Sequence, residues 1–268
     1  MTLDVLVRNN VKVLGEGSRT IVFAHGFGCD QHMWRYIVPA FEQNYRVVLF
    51  DYVGSGKSQI NDYDSTKYND LQGYAQDVLD IMDRLELRDT IFVGHSVSGM
   101  IGMLASIRNP EYFERIVMLG PSPRYVNDLP DYYGGFERSD IDELLSMMQL
   151  NFIGWASYLA PIVMQNPERR ELSEELEQSF CSRDPHIARQ FAEVTFLSDC
   201  RTQLELASIP TLILQCADDS ISPVEVGQYL HDHLKQSTLR LMTASGHYPQ
   251  LSHPEETIQF IKQYLASA

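Results

Sequence analysis

Positive charge is scarce in this chain. Its 268 residues carry 21 Lys and Arg against 36 Asp and Glu, a formal net charge of −15. So few cations cannot build a basic stripe, which argues against nucleic-acid binding, and the same charge disfavours adhesion to an anionic membrane. Long apolar runs are missing as well: no stretch approaches the roughly 20 residues of a membrane span. The opening residues Met1-Thr2-Leu3-Asp4-Val5 show neither the basic segment nor the apolar run of a secretory signal. Cysteine is sparse, and Cys29, Cys181, Cys200 and Cys216 form no Cys-x-x-Cys pair. They read as reduced thiols of a cytoplasmic protein. Asp51 to Ser58 contains Gly-Lys-Ser but lacks the Gly-x4-Gly-Lys spacing of a phosphate loop, so it reads as a tight turn. What the chain does have is a 44% hydrophobic composition, enough for one α/β domain with a sizeable core.

The apolar run Thr90-Ile91-Phe92-Val93 breaks directly into Gly94-His95-Ser96-Val97-Ser98-Gly99. After it, Met100, Ile101, Met103, Leu104 and Ile107 repeat at helical spacing. A buried strand, a Gly-x-Ser turn and a helix together make a nucleophile elbow, in which small neighbours let the two backbones approach and the Ser is thrust outward. The second Gly of that pattern is here Ser98, a small residue but a departure.

Two further turns follow in the order such a site needs. Thr211 to Gln215 leads to Cys216-Ala217-Asp218-Asp219, and Leu239 to Met242 leads to Ser245-Gly246-His247. Either Asp218 or Asp219 supplies the acid. Among the histidines beyond it, His231 and His233 flank Asp232 in a helical segment, and His253 before Pro254 suits a helix start. His247, on a Gly-preceded turn after the last strand, is the candidate base. Upstream, Thr20 to Ala24 ends in His25-Gly26-Phe27-Gly28. In the α/β-hydrolase fold this turn gives one oxyanion-hole amide, here Phe27, and the residue after the nucleophile, Val97, gives the other. No metal, flavin or nucleotide is required by this chemistry.

The strand candidates alternate with helical patterns, as in a mostly parallel sheet flanked by helices. From about Tyr125 to Asp199 the pattern changes to helices only. This predicts a helical lid (residues 125–199), inserted after the sixth strand of a core formed by residues 1–124 and 200–268. Tyr125, Trp155, Leu159, Phe180 and Phe196 are its candidates for lining an enclosed apolar pocket. With no charge anchor singled out in the lid, the expected ligand is small and largely apolar.

Several stretches resemble one branch of the α/β-hydrolases. They include HGFGCDQHMW (His25 to Trp34), LFDYVGSGKS (Leu49 to Ser58), GHSVSGMIGMLASIRNPE (Gly94 to Glu111) and SGHYPQLSHPEETI (Ser245 to Ile258). The branch contains the bacterial stress-sigma-factor regulator RsbQ and the plant strigolactone and karrikin receptors. The Ser-Val-Ser elbow is similar to that of the plant receptors. The resemblance implies a triad of Ser96, Asp219 and His247, the acid being chosen by the branch's Asp-x-x-x-Pro pattern at Asp219 to Pro223. It also implies a pocket under a four-helix lid, and slow hydrolysis of an ester or lactone coupled to stress or ligand signalling through a protein partner such as a sensor phosphatase. A metabolic carboxylesterase or lactonase, and a lyase or oxygenase of the same fold, remain the alternatives.

Overall fold

The computed structural model describes residues 4–267. Seven short runs become strands: β1 (Lys12–Leu14), β2 (Arg19–Ala24), β3 (Tyr45–Leu49), β4 (Thr90–His95), β5 (Phe113–Leu119), β6 (Thr211–Asp218) and β7 (Ser237–Ser245). They form one sheet in the order β1-β3-β2-β4-β5-β6-β7, parallel throughout except where β1 pairs with β3. The helices are α1 (Val5–Arg8), α2 (Leu71–Arg84), α3 (Val97–Arg108), α4 (Arg138–Leu150), α5 (Phe152–Met164), α6 (Arg170–Cys181), α7 (Pro185–Phe196), α8 (Val224–His233), α9 (Pro249–Ser252) and α10 (Pro254–Ala266). Every residue of β4 is buried, as expected for a central parallel strand covered on both faces. Each fully buried side chain such as Ile91 or Phe92 is worth about 1.5–3 kcal/mol relative to exposure.

Helices α4 to α7 form the lid insertion, which leaves the core after β5. That is the fifth strand along the chain, not the sixth as the sequence pattern had it. Among the described residues only five strands precede it. Ahead of β1, Val5–Arg8 form the single-turn helix α1, capped by the Asp4 carboxylate on the Leu6 amide. The two ends of the insertion meet again. Arg124 and Asp199 form an isolated antiparallel bridge, and the Cys200 N–H donates to the Pro123 carbonyl at 2.7 Å.

Sheet register places the functional loops. Ala24 pairs with Gly94, so the turn after β2 lies beside the turn after β4. The chain leaves β2 toward β3 on one side and reaches β4 on the other. The diverging loops open a crevice at this switch point, where open α/β sheets bind ligands. At the other side, Asp218 pairs with Ser245, which sets the loop after β6 against the loop after β7.

Candidate active site

Ser96 sits between β4 and α3 with φ 55° and ψ −125°, a conformation that L side chains rarely adopt. Its N–H donates to the Leu119 carbonyl at 2.7 Å, which holds the turn onto β5. A Cβ at Gly94 would lie 2.5 Å from the Ser98 carbonyl oxygen, so close approach of helix to strand requires glycine there. Val97 opens α3, and its N–H belongs to the first turn, where no intrahelical acceptor exists.

The sequence-predicted Ser96, Asp219 and His247 are brought together. Ser96 Oγ lies 2.8 Å from His247 Nε2, and His247 Nδ1 lies 2.8 Å and 3.1 Å from the two Asp219 carboxylate oxygens. Asp219 Oδ1 also accepts from the N–H groups of Ile221 at 2.9 Å and Ser222 at 3.1 Å, which fixes the carboxylate plane. All three residues are buried. A carboxylate can only accept, so the ring donates through Nδ1–H and offers the Nε2 lone pair to the serine hydroxyl. Asp218, by contrast, is exposed and contributes its carbonyl to the Gly246 N–H at 2.7 Å. His231 and His233 are exposed on α8, and His253 stands before α10. None of these three joins the cluster.

Two histidines that sequence reasoning passed over as motif letters support it. Both are fully buried, and burial pushes their pKa values down, so both are neutral. His95 Nε2–H donates to the His247 carbonyl at 2.7 Å. His25 Nδ1–H donates to the Gly26 carbonyl at 2.8 Å, while its Nε2 accepts from the Tyr52 N–H at 3.1 Å. Tyr125 places its hydroxyl 3.4 Å from Ser96 Oγ; burial raises its pKa, which keeps the phenol protonated.

Over Ser96 lies a cavity of ≈ 20 Å³, room for about one water. Of the predicted lining residues, Tyr125, Leu159, Phe180 and Phe196 border it, together with Phe27 of the predicted oxyanion turn. Trp155 does not. Its indole packs on Phe27 and Phe180, with ring centroids 6.1 Å and 5.1 Å away, and so backs the wall instead of forming it. It faces a second cavity of ≈ 280 Å³ between α4 and α5. Leu159 and Ile221 belong to the walls of both.

A model of the alpha/beta hydrolase fold matches residues 19–254. The chain belongs to the α/β-hydrolase family. It is 40% identical to the karrikin insensitive 2 receptor CA of Petunia hybrida over 96% of this chain and 95% of that one. It is 39% identical to the strigolactone esterase D14 of Arabidopsis thaliana over 98% of each. A solved hydrolase from Oleispira antarctica superposes with a TM-score of 0.97 at 43% identity, covering 99% of this chain and 97% of that one. The branch is therefore that of the strigolactone and karrikin receptors, and the chain is a serine hydrolase.

In this hydrolase four residues bordering the cavity escaped sequence reasoning: Val163, Thr195, Ile221 and Tyr248. Tyr248 and Ile221 lie one and two residues from the base and acid, and Val163 is one helical turn from Leu159, so adjacency and spacing carried a signal for them. Thr195 had none beyond its neighbour Phe196. Among the described residues no cluster of His, Cys, Asp and Glu suits a metal ion, and no helix is long and apolar enough to cross a membrane.

Proposed function

We propose that the protein hydrolyses a small, largely apolar ester or lactone at Ser96. The observation that carries this is the continuous buried relay from Ser96 Oγ through His247 to Asp219, with both links at 2.8 Å. His247 Nε2 takes the hydroxyl proton as Ser96 Oγ bonds to the acyl carbon, and Asp219 stabilises the imidazolium that forms. The carbonyl electron pair moves to oxygen, where the amides of Phe27 and Val97 act as the oxyanion donors. Collapse expels the alcohol, which takes the proton from His247. Water, activated by the same base, then releases the acid and frees Ser96. The apolar wall of Phe27, Leu159, Phe180 and Phe196 supports a ligand with little charge, and the relative described as a strigolactone esterase supports ester cleavage.

Turnover is slow in this reading, because a ≈ 20 Å³ cavity admits no ester until the lid moves. Coupling to a protein partner, such as a sensor phosphatase in the cytoplasm, is supported by the way base and acid loops hang on the end of α5. The His247 N–H donates to the Val163 carbonyl at 2.8 Å, and Ser220 Oγ donates to the Ile162 carbonyl at 3.3 Å. Lid position and catalytic geometry are thus one mechanical unit. The test is intact-mass analysis after a fluorophosphonate and after a butenolide ester. A single adduct and a transient acyl-enzyme, both lost in Ser96→Ala, are expected. Labelling that persists in Ser96→Ala would overturn the assignment, and fast turnover without partner dependence would favour a metabolic esterase.

A further inference from the structure

Among the residues bordering the cavity over Ser96, one carries a buried hydroxyl that the reaction does not use and that has no partner among the described residues. Thr195 lies on α7 and is 1% exposed, and its Oγ1 has no hydrogen-bond partner among the described residues. A threonine hydroxyl in a helix ordinarily bonds back to the carbonyl three or four residues earlier. Here it does not, although Phe191 and Ala192 supply those carbonyls within the same helix. Thr195 instead borders the cavity that also touches Ser96 and His247, among Phe27, Leu159, Phe180 and Phe196. A valine would fill the same volume without burying an unpaired hydroxyl, so packing alone does not account for threonine.

We propose that Thr195 is a specificity-determining residue, whose hydroxyl donates a hydrogen bond to an oxygen of the ester or lactone remote from the scissile carbonyl. The site then selects an oxygen-bearing acyl or ring portion over a pure hydrocarbon of the same shape. This rests on Ser96 being the nucleophile. A buried donor left unpaired is what penalises a ligand lacking the acceptor. Tyr125 is not the alternative donor, because its hydroxyl lies 3.4 Å from Ser96 Oγ, beside the scissile carbonyl and not remote from it.

The experiment compares isosteric p-nitrophenyl esters, butanoate with methoxyacetate and pentanoate with 3-methoxypropanoate. Each pair differs by a methylene exchanged for oxygen. The kcat/KM ratio of ether to alkyl ester is measured in the parent, Thr195→Val and Thr195→Ser. Intrinsic ester reactivity cancels between proteins. In at least one pair the ratio should fall about fivefold in Thr195→Val and be kept in Thr195→Ser. Unchanged ratios in both pairs overturn the proposal. Thr195→Val should also melt at or above the parent temperature; a clear drop would show a hydroxyl already satisfied in the free protein, and would equally overturn it. Hydrolysis persisting in Ser96→Ala would sink the nucleophile assignment while leaving the ratio and the melt to judge Thr195. If the parent cleaves none of the esters, the melt alone decides.

Discussion

Ser98 Oγ lies 2.5 Å from the His25 carbonyl oxygen and 2.9 Å from the Tyr52 hydroxyl. A carbonyl only accepts, so Ser98 donates to His25 and receives from Tyr52. The residue that departs from the usual elbow glycine thereby ties the first turn of α3 to the turn that carries Phe27. The bond acts between the two loops that carry the proposed oxyanion donors, Phe27 and Val97.

Ser98→Gly should therefore cost more than the loss of a small side chain. It leaves the His25 carbonyl and the Tyr52 hydroxyl short of partners in a buried site, worth about 1–3 kcal/mol of stability. A looser oxyanion turn should lower kcat about tenfold with little change in KM, because such donors act on the transition state. Urea unfolding and steady-state hydrolysis of p-nitrophenyl acetate check both halves. Parental values in both would show that the bond carries no load.

Asp219→Asn should reduce turnover by up to about 10⁴-fold, the loss expected when the imidazole tautomer is reversed. Asp218→Asn should alter it little, since Asp218 is exposed and meets the site only through its backbone. Equal rates in the two variants would contradict the geometry.

That distinction shows what the sequence could and could not reveal. The run Thr90 to Val93 with its small flanking residues was legible as strand and elbow, because a fully buried strand is an unbroken apolar run. The choice between adjacent aspartates was not decidable by alternation alone. The β6–β7 register shifts between Cys216 and Asp218, which breaks the two-residue period just where it was needed. The pocket was harder still. Trp155 and Leu159 share one face of α5 at i,i+4, yet only Leu159 reaches the Ser96 cavity, because Phe27 and Phe180 pack against the indole. Such outcomes depend on how helices rotate against the core, which periodicity does not encode. Thr195 was invisible for a related reason: nothing in its spacing says that its hydroxyl goes unpaired.

Leu159→Ala should join the two cavities, since Leu159 stands in both walls. The added room should favour p-nitrophenyl butanoate over acetate by about tenfold in kcat/KM, two methylenes at about 0.8 kcal/mol each. Truncating a buried leucine should also cost about 2–5 kcal/mol of stability. An unchanged chain-length preference in a folded variant would place the acyl group away from Leu159.

The lid's two ends are clasped by charge, and that clasp should be acid-labile. Arg201 reaches Asp199 at 2.8 Å and Asp128 at 2.9 Å, while Arg124 reaches Asp199 at 2.5 Å. Burial alone would raise the Asp199 pKa, but the hydrogen bonds from Arg201 and Arg124 outweigh it and hold the group at about 2, below its ordinary 3.8. A carboxyl depressed in the folded state contributes stability above its unfolded value and loses it as pH falls toward its folded value. The parent should therefore exceed Asp199→Asn in urea midpoint near pH 5, with the gap closing between about pH 4 and 2. A gap that stays constant on acidification would show that Asp199 does not titrate in the clasp.

Occupancy of Ser96 should be felt at the end of α5. A phosphonate ester on Ser96 Oγ is far larger than a cavity of ≈ 20 Å³, so the roof of Leu159, Phe180 and Phe196 must give way. Leu159 lies on the same helix as Val163, whose carbonyl accepts from the His247 N–H at 2.8 Å, and Gln165 Oε1 just beyond accepts from the Ser220 N–H at 3.3 Å. Displacing α5 therefore pulls on the base and acid loops together. Hydrogen exchange in the phosphonylated protein should change across residues 152–165 and at the His247 amide, while α2 on the core stays as before. A partner that recognises the displaced lid would bind the occupied form more tightly, and linkage requires it to tighten ligand binding by the same factor. If exchange over α5 is the same with and without the adduct, the lid does not respond to the site, and a partner reading lid position has nothing to sense.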